Sequence, residues 1–89
     1  MKVQNMTSNR TNREVANQFT IYGDNGEVVF QSYNSVIVKI ANGKTYLDSN
    51  KWDYSKTTGK YRNQFLGETK KETEAKIKSG EYTLTDLNK

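Results

Sequence analysis

One short segment of the sequence concentrates side chains that could hold an anion. Residues 52–63 combine three cations, three Ser or Thr hydroxyls, a glycine and three aromatic rings. Lysine and arginine form charge-assisted hydrogen bonds to phosphate, hydroxyls and helix-start amides add neutral donors, and an aromatic face can stack on a base. The sequence therefore predicts that a phosphate-bearing ligand binds Trp52, Tyr54, Lys56, Thr57, Thr58, Lys60, Tyr61, Arg62 and Asn63.

The same segment has a second, purely structural interpretation. Its aromatic rings could belong to the core or to an interface while its cations form a solvated helix face, because runs of charge are usually solvated. A nucleotide-hydrolysing P-loop is not expected, since Tyr54 and Tyr61 stand where that motif requires Gly and Ser or Thr around Gly59-Lys60.

The N-terminal residues form a second candidate for anion binding. Residues 1–14 are polar, without a hydrophobic period, and place Arg10 and Arg13 among Asn, Ser and Thr. They are predicted to be a basic arm that could fold over an anionic ligand or reach a neighbouring subunit. The alternative is a loose solubilising tail, since chain termini are often poorly ordered.

The composition argues against an enzyme. The chain has no His, no Cys and no Pro, which excludes histidine- and thiolate-based catalysis, disulfides, and metal sites with nitrogen or sulfur ligands. A two-carboxylate glycosidase or a magnesium nuclease stays open, but the acidic residues are scattered, mostly at predicted turns. We therefore expect no catalytic residue, no metal and no cofactor.

Charge and hydropathy indicate the kind of partner. The chain of 89 residues carries a formal charge of +4, which makes anionic partners reasonable. No apolar stretch is long enough to span a membrane, and the first residues lack an apolar signal core, so a soluble cytoplasmic protein without a membrane partner is expected.

The first half of the domain has the pattern of an antiparallel meander. Two Asn-Gly pairs, at residues 25–26 and 42–43, separate alternating or β-branched runs, which is the strongest short hairpin signal. The predicted strands cover residues 18–23, 27–33, 36–40 and 44–47.

The pattern of the second half predicts helices followed by a strand. Ser55 or Thr57 can cap a helix over residues 57–66 that ends at Gly67, although a hairpin there stays open. A capping box, Thr69 with Glu72, predicts a second helix to about Ser79, with Ala75 and Ile77 as its apolar anchors. The whole is an α+β domain over residues 15–89: a meander of about four strands, one or two short helices, and a possible C-terminal edge strand within residues 81–87.

The core of such a domain is expected to be thin. Ten of the 89 residues are aromatic, and a domain this small buries only about 60–65% of its unfolded surface. Without disulfides, association of identical chains would cover apolar side chains that stay exposed. A homo-oligomer is therefore expected.

One part of the chain resembles a known group of proteins. Residues 52–68, WDYSKTTGKYRNQFLGE, belong to a pattern running from Thr7 to Tyr82 that also includes VANQF at 15–19 and KIKSGEY at 76–82. Its most specific part is TTGKYRN followed by FLG, within residues 57–67. This pattern resembles a family of small proteins of unknown function from bacteriophages and prophages. The resemblance implies a viral origin and transfers no catalytic residue.

These observations favour a non-catalytic phage protein that acts by binding in the cytoplasm of its bacterial host. Its target would be a phosphate-bearing small molecule of the nucleotide-signal type or a host defence protein, and its binding would antagonise antiviral defence. Two alternatives stay open: a small DNA- or RNA-binding regulator, and a structural or assembly factor.

Overall fold

A six-stranded sheet, with its strands side by side in chain order, forms the frame of the molecule in a computed structural model that describes residues 1–89. The first five strands are antiparallel, and the last pairs parallel to the fifth. The elements are β1 (Lys2–Thr7), β2 (Glu14–Tyr22), β3 (Val28–Ser32), β4 (Ser35–Ala41), β5 (Lys44–Asp48), α1 (Lys56–Leu66), α2 (Lys70–Ser79) and β6 (Tyr82–Thr85). The predicted α+β class is confirmed.

The tight turns explain the meander. Asn42 and Gly43 both have positive φ, 54° and 74°, and join β4 to β5 as the Asn-Gly pair predicts. Gly26 has a φ of 82° in the predicted turn between β2 and β3. The turn between β3 and β4 holds Tyr33 at a φ of 56°, which a tyrosine rarely adopts.

The N-terminal residues differ from the predicted polar arm. Lys2–Thr7 form β1, which pairs with β2 and adds a fifth antiparallel strand to the predicted four. Val3 and Met6 are the only apolar residues inside the strand, so it lacks the strict alternation that reveals most strands. Backbone pairing with β2 orders it instead, and residues 8–13 form the connecting loop.

Both helices lie against one face of the sheet, which we call the inner face. Phe65 of α1 stacks on Phe30 of β3, with ring centroids 5.7 Å apart. Residues 56–66 are thus a helix, not a hairpin. The core contains Met6, Phe30, Ile37, Val38, Leu47, Tyr61 and Tyr82.

Helix α2 packs differently from its prediction. The capping box of Thr69 and Glu72 is present, and Ile77 packs against the core. Ala75, however, is exposed, and the fully buried residue of the helix is Thr73. The hydroxyl of Thr73 can enter the interior because it donates hydrogen bonds to Glu68 and to the carbonyl of Thr69. Neither helix combines the length and the apolar content that crossing a bilayer requires.

Candidate anion-binding groove

An open groove of about 980 Å³ runs along the exposed side of α1. Its walls come from the connector after β5, from α1, from the first residue of α2, and from Asn9 in the loop between β1 and β2. Tyr54 is the only aromatic residue among the twelve that line it. The lining is otherwise polar or charged, which suits an anion more than an apolar ligand.

The start of α1 sets which side chains face this groove. Ser55 caps the helix by accepting a hydrogen bond from the Thr58 amide, over 3.1 Å. With 3.6 residues per turn, Lys56, Lys60, Asn63 and Gly67 then follow one another along the groove. The opposite side of the helix, including Tyr61, packs onto the sheet.

Arg62 is the buried cation of the groove wall. Its side chain is 1% exposed, and its Nη1 donates to the carbonyl of Trp52 over 2.6 Å. Its Nη2 donates to the side-chain oxygen of Asn63 over 2.9 Å, and the guanidinium lies 5.2 Å from the centre of the Trp52 ring. Arg62 therefore holds the connector against α1, while its Nε is buried without a partner.

Asp53 joins two cations across the groove wall. Its carboxylate lies 3.3 Å from Nη1 of Arg62 and 2.7 Å from Nζ of Lys70. Burial alone would raise the pKa of Asp53, but the hydrogen bonds from Lys70 and Arg62 outweigh it and leave this pKa lowered. The same contact with Asp53 raises the pKa of Lys70. Both groups therefore stay charged at neutral pH.

The groove carries a net positive charge. Four cations, Lys56, Lys60, Arg62 and Lys70, line it against the single carboxylate of Asp53. Lys56 and Lys60 take part in none of the five ion pairs of the molecule. The ammonium group of Lys60 lies 5.4 Å from the centre of the Tyr61 ring, but no carboxylate neutralises either lysine.

A known protein family covers the whole groove. Residues 1–81 match the family of unknown function DUF8033. The chain belongs to this family. The match ends one residue before β6, so every residue that lines the groove of this DUF8033 member lies inside it. No curated protein and no solved structure matches the chain.

The structure brings together five of the residues predicted to bind the ligand. Tyr54, Lys56, Lys60, Arg62 and Asn63 all line the groove. The density of cations, hydroxyls and aromatic rings within residues 52–63 was the signal that identified them.

The other six predicted residues lie outside the groove lining. Thr58 is fully buried, with its hydroxyl 2.9 Å from that of Ser32, because α1 packs this side onto the sheet. Tyr61 belongs to the core, and Trp52 packs against the core. The remaining three are exposed elsewhere: Thr57 on α1, and Arg10 and Arg13 in the loop between β1 and β2.

Several lining residues were missed in the sequence. Gln64 and Gly67 follow from helical spacing after Lys60, once the helix is accepted. Asn9 and Lys70 carry no such signal, since only the tertiary structure brings them to α1. Gln64 ties the end of β1, close to Asn9, to α1, because its side-chain amide donates to the carbonyl of Thr7 over 2.7 Å.

Glu68 organises the side chains that hold α2 in place. Its carboxylate accepts hydrogen bonds from Thr73 (2.6 Å), from Lys76 (2.8 Å) and from the hydroxyl of Tyr82 in β6 (2.8 Å). Burial would raise the pKa of Glu68, but these three donors lower it overall. Burial and the nearby carboxylate raise the pKa of Tyr82. Glu68 thus fixes the helix whose first residue, Lys70, faces the groove.

Stability is expected to fall in acid as these carboxylates take up protons. The folded-state pKa values of Asp53 and Glu68 lie below their ordinary values of 3.8 and 4.5. A lowered pKa contributes stability that is complete above the ordinary value and is lost as pH falls towards the folded-state value. Urea midpoints should therefore be level above about pH 5 and fall below about pH 4.5. Glu68→Gln should flatten this fall, and an unchanged slope would contradict the assignment.

Proposed function

We propose that this DUF8033 member is a non-catalytic binding protein that captures a phosphate-bearing ligand of the nucleotide-signal type in the groove along α1. The observation that carries the proposal is the charge of the lining, four cations against one carboxylate. Lys56 and Lys60 have no carboxylate partner, so a ligand would not have to displace an existing ion pair to reach them.

The four cations would have two different roles. Lys56 and Lys60, both exposed, contact the phosphate oxygens directly. Arg62 and Lys70 are already shared with Asp53, so they keep the wall in place and add to the positive field. The groove-lining side chains of Asn63 and Gln64 offer neutral donors beside them.

Tyr54 gives the groove a place for a base. Its side chain is 44% exposed at the groove wall, and the ammonium group of Lys51 lies 5.0 Å from the centre of its ring. A base stacked on such a ring gains about 1–3 kcal/mol. One ring favours a ligand with a single stacked base.

The wider role in this proposal is antagonism of antiviral defence in the cytoplasm of a bacterial host. It rests on the resemblance of residues 52–68 to small phage proteins, and on the absence of His and Cys from the chain. A protein that blocked a nucleic-acid-binding enzyme by mimicry would be acidic, whereas this chain has a charge of +4. The charge therefore favours capture of an anionic ligand.

The test is calorimetric titration of the protein with nucleotides and with inorganic phosphate. We expect at least one nucleotide to bind and Lys56→Ala with Lys60→Ala to weaken its binding at least about 100-fold, since each of the two charged hydrogen bonds contributes roughly 1.5–3 kcal/mol. The matched control is Lys71→Ala with Lys78→Ala. Both lysines are exposed on α2, so this pair removes the same charge outside the groove.

Two results would overturn the proposal. In the first, no nucleotide binds, or the control pair loses as much affinity as the groove pair. In the second, oligonucleotides bind tightly with a steep salt dependence while nucleotides do not, which would favour the nucleic-acid-binding alternative.

A further inference from the structure

The face of the sheet opposite the helices carries a row of apolar side chains. Side chains alternate between the faces along a strand, so Val29 points away from the face that Phe30 shares with α1. Pairing places Val3 beside Ile21, and Ile21 beside Val29. The row continues through Lys39 to Tyr46. With Phe19, two residues before Ile21 in β2, we call this surface the outer face.

No helix covers the outer face, although residues 85–87 approach it beside Lys39 and Tyr46. Val3 is 58% exposed, and Phe19, Ile21, Val29 and Tyr46 are half-buried. None of the five belongs to the core or packs against it. An antiparallel sheet that faces water on one side normally shows polar side chains there. The outer face instead shows apolar side chains on β1, β2, β3 and β5.

We propose that the outer face binds the outer face of a second copy of this chain. The size of the surface supports a dimer. Six strands spaced about 4.8 Å apart and mostly 5–9 residues long give a face of roughly 25 by 25 Å. That is about 600 Å² before side-chain relief is added, close to the ~800 Å² that each partner contributes to a standard interface.

The distribution of charge also favours a second copy. Lys39 is the only charged side chain in the row, and Glu27 pairs with it at 3.6 Å. Lys44, two residues before Tyr46 in β5, is exposed on the same face but lies at its end, beside the turn from β4. The apolar row at the centre of the face can therefore meet itself without repulsion, whereas two groove faces would bring like charges together. Such a two-fold interface would stack sheet on sheet and leave both grooves open to solvent.

The proposal is tested by sedimentation of the full chain over a range of concentrations. We expect the wild type to dimerise below about 100 μM, within the range of interfaces of this size. Val29→Lys should raise the dissociation constant about 30-fold or more by placing a charge at the centre of the interface. The control Ala75→Lys adds the same charge to the exposed side of α2 and should leave the dissociation constant unchanged.

A second variant keeps the test decisive if Val29→Lys does not fold. Val3→Lys changes an exposed position in the same row, so its circular dichroism should match the wild type while its dimer weakens. A wild type that stays monomeric up to about 200 μM overturns the proposal, because an interface of this size would then be unoccupied. A dimer that resists the outer-face variants also overturns it.

Discussion

Arg62→Ala is expected to lower the melting temperature by roughly 12–24 °C, which corresponds to about 3 kcal/mol in a domain of 89 residues. The guanidinium is 1% exposed and donates to the Trp52 carbonyl and the Asn63 side chain. Alanine would remove both hydrogen bonds, the ion pair with Asp53 and the contact with the Trp52 ring, and it would leave a cavity where the side chain had been.

Two further variants separate the position of Arg62 from its charge. Lys60→Ala removes a cation two residues away on the same helix that is exposed and in no ion pair, so its effect should stay within about 0.5 kcal/mol. Arg62→Lys should fall between the two, since an ammonium cannot reproduce the planar fork of donors. Differential scanning calorimetry measures all three, and equal losses for Arg62→Ala and Lys60→Ala would contradict the structural role of Arg62.

Glu68→Ala is expected to cost about 2–3 kcal/mol, because it removes the acceptor of two hydroxyl donors on buried residues. Thr73 keeps a second acceptor in the Thr69 carbonyl, but Glu68 is the acceptor to which the Tyr82 hydroxyl donates. The change should also loosen α2 relative to β6, and with it Lys70 beside the groove. Chemical denaturation measures the loss in stability, and amide exchange in α2 reports the loosening.

The control for Glu68 is another glutamate nearby. Glu74 lies on the exposed side of α2, and its carboxylate forms no ion pair. Glu74→Ala should therefore change the free energy of unfolding by less than about 0.5 kcal/mol. Glu68→Gln should be intermediate, since the amide oxygen can still accept from Tyr82 while the charge opposite Lys76 is lost. If Glu68→Ala costs no more than Glu74→Ala, the cluster does not fix α2.

Local signals accounted for much of the fold. The Asn42-Gly43 turn, the cap at Ser55 and the capping box at Thr69 depend on neighbouring residues, and the structure confirms each of them. β1 was missed because its order comes from backbone pairing with β2, to which its side-chain pattern gives little clue. The parallel pairing of β6 was open too, since direction depends on the path of two helices.

The groove was predictable only in part, for a related reason. Cations close together in the chain, such as Lys56 and Lys60, could be grouped from the sequence alone. Whether Arg62 is free or buried depends on how the connector folds back onto the helix, so its partner in the Trp52 carbonyl could not be foreseen. Thr58 was predicted to bind the ligand, but its hydroxyl is hydrogen-bonded to that of Ser32, which lies 26 residues earlier in the chain.

The parallel pairing of β6 also has a consequence for the order of folding. The first five strands are joined by short connections and pair with their chain neighbours, so their contacts form at little entropic cost. β6 can pair with β5 only after the chain between residues 48 and 82 has been brought round. Apart from Asn9, the groove belongs entirely to this crossing segment. We therefore expect the groove to be completed late in folding, and a ligand that contacted both of its walls would stabilise the segment that leads to the last strand.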